Sequence, residues 1–315
     1  MQNSNIEWTD HTFNGWIGCT KVSTECLNCY AETFNERFGG GNWGKGAPRR
    51  RTSEDNWRGP INWNRTAARY PFRCPVHGPC LYEDCPSCEH SNLPNRPRVF
   101  CASMADWLDE EVDKNIRADL LNLIDKTRNL DWLLLSKRPQ SWYKLLADAV
   151  PKIFSREDMV PQWLEGNPPP HVWMGASAGN QKYADERIPE LVRIPARVRF
   201  LSVEPMLGPI DLAAAAFNGA DSFGSMPGIH WVIFGGESGP GARPCNVEWI
   251  RDGVRQCRAA GVAPFVKQLG SNRHDNGKSI HSDFARERGA WMDKKGGDPL
   301  EWPADLRVRE FPKIT

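Results

Sequence analysis

The sequence predicts an α/β protein built as a full or partial (β/α) barrel of the TIM type, and three observations carry that prediction. From about residue 97, short apolar runs rich in β-formers alternate with amphipathic segments of helical period. The runs are near-continuous rather than alternating, which marks parallel strands covered by helices. Nearly every run ends in polar or charged residues, as barrel strands do where their C-terminal ends share a rim.

A first strand is expected near residues 5–18. The later runs are RVFCAS (98–103), WLLLS (132–136), HVWMGAS (171–177), VRFLSV (198–203), HWVIFGG (230–236) and PFVKQ (264–268). Between them lie DKNIRADLLNLIDKT (113–127), SWYKLLADAV (141–150), ERIPELVRI (186–194) and NVEWIRDGVRQCRAAG (246–261), each with a helical apolar stripe. That gives six or seven β/α units. Two regions break the pattern. Residues 39–96 are rich in Gly, Pro, Arg and Trp and read as an insertion without periodicity. Residues 271–315 read as an irregular tail packed on the barrel. The division is therefore 1–38 for the first β/α unit, 39–96 for the insertion, 97–270 for the remaining units and 271–315 for the tail.

The residues closing the runs are the candidate site. Ser103 and Asp106 follow the second strand, Ser136, Lys137 and Arg138 the third, and Ser177 and Asn180 the fourth. Ser202 and Glu204 end the fifth, Glu237 and Ser238 the sixth, and Lys267 and Gln268 lie at the seventh. Ser and Asp at such points commonly cap helices. Long charged side chains make poor caps, so Glu204, Glu237, Lys137 and Arg138 in particular make the set read as a polar active-site rim.

Composition narrows the function classes. The 315 residues carry 40 Lys and Arg against 39 Asp and Glu, a net charge of +1, so attraction to nucleic acid needs a local patch. No basic region followed by an apolar run opens the chain, and no stretch approaches the ~20 apolar residues that span a bilayer. A cytoplasmic protein without membrane contact is expected. In that reducing compartment, clustered cysteines are metal ligands or catalytic groups more often than disulfides. Seven of the ten cysteines fall in two clusters, and Cys101, Cys245 and Cys257 stand apart as small buried hydrophobes.

The first cluster, Cys19, Cys26 and Cys29 followed by Tyr30, has the spacing Cys-x6-Cys-x2-Cys-aromatic. Three thiolates leave a tetrahedral zinc one ligand short, which His11 could supply as a Cys3His site. They also suit a [4Fe–4S] cluster with one open iron. The Cys26-x2-Cys29-Tyr30 half resembles the cluster loop of radical S-adenosylmethionine (SAM) enzymes, which usually reads Cys-x3-Cys-x2-Cys-aromatic. More widely, the chain is similar to a phage and prophage three-cysteine-motif family of unknown function that is radical-SAM-like. The resembling blocks are IEWTDHTFNGWIGCTKVSTECLNCYAE, LLLSKRP, VWMGAS, RFLSVEPMLGPIDL, WVIFGGESGPGARP, FVKQLG and LRVREFP, spanning nearly all of the chain except residues 39–96.

The resemblance implies a [4Fe–4S] cluster on Cys19, Cys26 and Cys29, SAM as cofactor, Tyr30 beside its adenine, and an electron donor as partner. The cytoplasm would be that of a bacterial host if the chain is phage-encoded. No oligomeric state is implied. Two departures stand out: the first gap is six residues rather than three, and GGESG follows the sixth strand rather than the second. Ser103 or Asp106 would then bind the SAM amine, with Ser177 and Arg243 also toward the cofactor. Arg243, in the Gly-rich GGESGPGARP, would neutralise a carboxylate or phosphate. Glu204, Glu237, Lys137 and Lys267 would be the catalytic set.

The second cluster holds Cys74, Cys80, Cys85 and Cys88, with His77 and His90 beside them. Four thiolates in a segment lacking its own core fit a structural zinc; an auxiliary iron–sulfur cluster and free thiols are the alternatives. Before it, residues 45–73 hold eight Lys and Arg against Glu54 and Asp55, with Trp57, Trp63 and Tyr70 interleaved. Such a segment could track a nucleic acid strand, its arginines on phosphates and its aromatics on unpaired bases. It could equally be a solvated loop with its tryptophans packed inward.

Three functions follow from these residues. The first is a radical SAM-type enzyme, with modification or repair of a nucleic acid base as one such reaction. The second is a non-enzymatic, zinc-dependent nucleic-acid-binding protein. The third is a barrel hydrolase using Glu204 and Glu237 as paired carboxylates, which leaves the N-terminal cysteines idle.

Overall fold

The six apolar runs after residue 97 all form strands, each within two residues of its predicted limits. The computed structural model describes residues 1–74, 78–81, 93–150, 155, 157–216, 226–280 and 293–313. In chain order these hold strands β1 (His11–Thr12) and β2 (Trp16–Ile17), helix α1 (Tyr30–Arg37), strand β3 (Arg50–Arg51) and helix α2 (Glu54–Arg69). Strands β4 (Phe72–Cys74), β5 (Gly78–Cys80), β6 (Leu93–Pro94) and β7 (Arg98–Cys101) follow. Next come α3 (Lys114–Lys126), β8 (Asp131–Ser136), α4 (Trp142–Ala147), α5 (Met159–Leu164), β9 (Val172–Ser177), α6 (Gln181–Arg193) and β10 (Val198–Val203). The chain continues with α7 (Leu212–Ala216), β11 (Trp231–Gly235), β12 (Cys245–Asn246), α8 (Val247–Ala259), β13 (Ala263–Gln268), β14 (Arg273–Asp275) and β15 (Lys278–Ser279).

The protein is therefore mixed α/β, with a seven-stranded parallel sheet in the order β1-β7-β8-β9-β10-β11-β13. The strands stand in the sheet in chain order, with β2–β6 and β12 outside it, as consecutive β/α units dictate. Two compact units share the residues. The first comprises Met1–Thr20, Phe38–Leu134 and Tyr143–Trp173, and the second Lys21–Arg37, Leu135–Trp142 and Met174–Thr315.

In the first unit, His11 and Thr12 of β1 register with Val99 and Phe100, and Arg98–Cys101 register with residues 131–134. The single strand expected near residues 5–18 is instead two short ones. Only β1 joins the main sheet, while β2 pairs antiparallel with β3. Asp113 caps α3 by accepting a 2.7 Å bond from the Asn115 N–H, and the helix buries Ala118, Leu120, Leu121, Leu123 and Ile124.

The insertion contains the main correction. Residues 54–69 form a sixteen-residue helix, α2, where aperiodic chain was expected. Ser53 supplies the cap, Glu54 and Asp55 lie in the first turn, and Trp57, Pro60, Trp63 and Ala67 make a buried stripe at helical spacing. Pro60 and Gly59 disguised that stripe, because both residues normally interrupt helices. Trp57 packs edge-on to Phe13 with centroids 5.3 Å apart, and Trp63 stacks on His11 at 4.3 Å. The two tryptophans offered to nucleic acid bases are thus core residues.

In the second unit, Phe200, Leu201, Ser202 and Val203 register with Trp231, Val232, Ile233 and Phe234. The β11–β13 ladder shifts by one residue between Phe234 and Gly235, so Gly235 opposes Gln268. Asn180 and Asn246 cap α6 and α8 through their side-chain oxygens. Residues 308–311 of the tail run beside β13 and β11. Val266 donates to the Val308 carbonyl at 2.8 Å, and the Phe311 ring lies 5.3 Å from Trp231 and 5.4 Å from Phe265. Part of residues 271–315 is also regular: β14 pairs parallel with β12 and antiparallel with β15.

The isolated cysteines are buried, as small hydrophobes should be. Burial pushes the Cys245 and Cys257 thiols up to about 12 and the Cys101 thiol higher still, which leaves all three unreactive near neutrality.

Candidate thiolate site and polar strand ends

Within the second unit, Cys26 and Cys29 sit on one tight turn. Cys26 closes a single 3-10 turn, Thr24–Cys26, and is buried against Ser23, whose hydroxyl lies 3.5 Å from its sulfur. Cys29 stands directly before α1, and the Thr33 N–H donates to its carbonyl at 3.1 Å. Its sulfur accepts from the Glu32 and Ala31 N–H groups, the position of a helix N-cap. Burial pushes the Cys29 thiol up; the two N–H groups and the Lys137 ammonium oppose that shift without overcoming it. The negative charge of Cys26 adds to the upward push, so the two sulfurs interact electrostatically. Lys21, held at 2.6 Å by Glu32, and Arg243 also feel these thiols. A helix N-terminus and three cations therefore lie close to the two sulfurs, where they offset part of the cost of burying negative charge.

The turn is fastened to the residues that follow β9 and β11. Glu25, immediately before Cys26, has a fully buried side chain. Its carboxylate accepts from Arg187 Nη1 at 2.5 Å, from the Gly179 N–H at 2.5 Å and from Ser23 Oγ at 2.8 Å. Burial alone would push the Glu25 carboxyl up, but Lys137, Arg187 and the hydrogen bonds from Arg187 and Gly179 outweigh it and hold it below its ordinary value. Gly179 is needed here. A Cβ at that position would lie 2.3 Å from the Pro205 carbonyl oxygen and 2.9 Å from the Glu25 carboxylate. The Thr24 N–H donates to the Tyr183 hydroxyl at 3.0 Å, and Asn28 Nδ2 donates to Glu237 at 2.9 Å.

Glu237 and Arg243, read from the sequence as a catalytic and a cofactor residue, are brought together. Arg243 Nε and Nη2 donate to the two Glu237 oxygens at 3.0 and 2.6 Å, a bidentate pair. Arg243 Nη1 also donates to the Thr24 carbonyl at 2.8 Å, so the pair braces the cysteine turn. Burial opposes ionisation of Glu237, yet the Arg243 and Asn28 hydrogen bonds keep its carboxyl below the usual range.

Glu204 and Lys267 form a second pair, with Nζ–Oε1 at 2.6 Å and both side chains partly accessible. A Cβ on Gly235, on the strand between theirs, would lie 3.1 Å from the Glu204 carboxyl carbon. Lys137 donates to the Ser177 hydroxyl at 3.3 Å. Glu204 and Glu237 each have a cation of their own rather than the shared-site arrangement of a carboxylate dyad. Tyr30, at the start of α1, is 61% exposed.

Within the first unit, Cys19 is held through its backbone. It bridges to Trp43, and its carbonyl accepts from the Gly44 N–H at 2.9 Å. Thr20 beside it accepts from Arg49 Nη2 at 2.6 Å. Arg49, one of the cations expected to meet phosphates, is buried and paired with Asp109 at 2.7 Å. Ser103 Oγ accepts from Asn14 Nδ2 at 3.0 Å, and buried Asp106 accepts from the Leu108 N–H at 3.0 Å. His11, the alternative fourth zinc ligand, is stacked on Trp63 and accepts at Nδ1 from the Asn3 N–H.

Among the described residues no three or more His, Cys, Asp and Glu side chains meet the geometry of a metal site. The fit to an iron–sulfur group therefore rests on donor chemistry: two adjacent thiols in an N-capped, cation-lined turn. Of the second cluster, Cys74 and Cys80 lie on β4 and β5, which pair antiparallel. Cys85, Cys88, His77 and His90 lie outside the described residues, and with them the zinc reading. No described helix is long and apolar enough to cross a membrane.

Sequence reasoning missed Glu25, Asn28, Gly179, Tyr183 and Arg187. One signal was available for Glu25: it is the only acidic residue between Asp10 and Glu32.

A family model described as "Protein of unknown function (DUF5131)" matches residues 3–299. Neither the curated proteins nor the solved structures give a significant match. With nearly the whole chain matched, the protein belongs to the DUF5131 family.

Proposed function

We propose that the protein is a radical SAM-type enzyme, with a [4Fe–4S] cluster on Cys19, Cys26 and Cys29 and with the seven-stranded sheet serving as a partial barrel. One observation carries the reading. The Cys26–Cys29 turn is tied by Glu25, Asn28 and Arg243 to residues following the C-terminal ends of β9 and β11, where parallel α/β sheets build active sites. When bound, the cluster supplies the electron that cleaves SAM and releases a 5′-deoxyadenosyl radical able to take hydrogen from an unactivated C–H bond. The chain's own residues bind and orient. Lys137 and Lys21 place positive charge near the thiolates, and Tyr30 offers an exposed ring beside Cys29. The Glu204–Lys267 pair presents a carboxylate and an ammonium at strand ends, suited to a substrate's polar groups. Anaerobic protein reconstituted with iron and sulfide, given SAM and a strong reductant, is expected to form 5′-deoxyadenosine. Absence of that product from iron-loaded protein would overturn the reading.

A nucleic acid substrate, or the second reading of a non-enzymatic zinc-dependent nucleic-acid-binding protein, draws on a narrower surface than residues 45–73. Trp57, Trp63 and Arg49 are buried, but Arg58, Arg65 and Arg69 are exposed at helical spacing on α2. Replacing these three with serine is expected to weaken binding to single-stranded nucleic acid and lower the slope of log K against log salt by about 2. Titrations across salt concentrations measure this, and an unchanged slope would remove α2 as the contact.

A further inference from the structure

We infer that Glu25 is a positioning residue that sets the Cys26–Cys29 turn before any metal arrives. For the metal arm this rests on the function proposed above; for the thiol arm it does not.

Three facts separate Glu25 from an ordinary surface carboxylate. Its side chain is fully buried, so an ionised group there needs every lone pair directed at a donor. Those donors come from three places in the second unit: Arg187 on α6, the Gly179 N–H after β9, and Ser23 on the cysteine turn itself. Arg187 also donates to the Ser177 carbonyl at 2.9 Å, and the Gly179 carbonyl accepts from the Leu207 N–H at 2.7 Å. The carboxylate thus locks the residue before Cys26 to the end of β9 and, through Gly179, to the loop after β10 that carries Glu204. The third is its place: Glu25 stands one residue from a candidate ligand, and Gly179 has no Cβ that would crowd the carboxylate at 2.9 Å and the Pro205 carbonyl at 2.3 Å.

In this account the clamp holds Cys26 buried and Cys29 at the helix N-cap in the metal-free protein, so that metal binding need not order the turn. The thiols should be protected in the apo-protein, and that protection should depend on Glu25.

The test is the alkylation rate of Cys26 and Cys29 in metal-free protein, read by peptide mass spectrometry with Cys257 as an internal buried control. Glu25→Ala is expected to speed alkylation of Cys26 by about tenfold or more, because local opening of the turn becomes easier. Glu25→Gln, which keeps the shape and one acceptor oxygen but sets an NH2 against a donor and leaves Arg187 without its carboxylate, should restore part of the protection. Gly179→Ala, which crowds the Pro205 carbonyl as well as the carboxylate, should change alkylation in the same direction as Glu25→Ala, and the rate in Glu25→Gln decides the matter if Glu25→Ala does not fold. After anaerobic reconstitution, Glu25→Ala should bind less iron and give a broadened or shifted electron paramagnetic resonance signal. Folded Glu25→Ala and Gly179→Ala proteins with wild-type alkylation rates would overturn the inference. Changed alkylation in a wild-type background that never binds iron would leave the clamp standing and sink the cluster reading instead.

Discussion

Replacing Arg49 with alanine is expected to destabilise the protein by about 3–5 kcal/mol, because it strands a buried carboxylate. The Arg49 and Asp109 side chains are 1% and 2% exposed. Arg49 also donates to the Thr20 hydroxyl and to the carbonyls of Asn42, Gly44 and Ala47, at 2.6, 3.4, 3.2 and 2.8 Å. Arg49→Lys would keep one or two of the bonds at most. Asp109→Leu alone should also be costly, since it removes the buried partner of the guanidinium and leaves Glu111, 3.4 Å away and partly exposed, to balance its charge. The double change Arg49→Met with Asp109→Leu should recover much of either loss, because removing both charges removes the desolvation cost as well. Urea denaturation of the four proteins measures the cycle. A single-mutant loss below about 1 kcal/mol would place the pair with weak surface bridges. The same bonds hold Thr20, the residue after Cys19, so the variant should also loosen that cysteine's backbone.

How far the sequence could be read depended on the range over which each feature is encoded. Strands β7 to β11 and β13 were legible because a strand buried on both faces needs a continuous apolar run, a local signal. Helices α3, α6 and α8 were legible from their apolar stripes, and Asp113, Asn180 and Asn246 cap them where caps belong. Helix α2 was not, because Gly59 and Pro60 in its second turn read as breakers while Trp57 and Trp63 were free to be surface aromatics. Burial of those rings against Phe13 and His11 overrides the poor propensity.

The site divides in the same way. Cys26, Cys29 and Tyr30 were visible because their spacing is local. The charged strand ends were visible as a set, but their partners were not. Glu237 and Arg243 lie six residues apart and form a brace where two separate functional groups were expected. Glu25 was missed because Gly179 and Arg187 lie 154 and 162 positions away in the chain. No spacing rule reaches that far. Only the parallel sheet, returning each strand end to the same side, brings such residues together.

Changing Cys19, Cys26 and Cys29 together to alanine is expected to have the largest functional effect. Thiolates are the ligands that select iron–sulfur chemistry, and among the described residues no group of three or more Cys, His, Asp and Glu side chains is already set as a metal site that could stand in for them. Because Cys26 and Cys29 sit in a turn held by Glu25, Thr24 and Asn28, their loss should leave the fold largely intact and remove the donors alone. Iron, sulfide and zinc quantification on anaerobically purified and reconstituted protein, with and without the triple substitution, tests this directly. The substitution is expected to remove about four iron and four sulfide per chain and to leave any zinc in place. Zinc without iron in the unsubstituted protein, or iron retained by the triple variant, would contradict it.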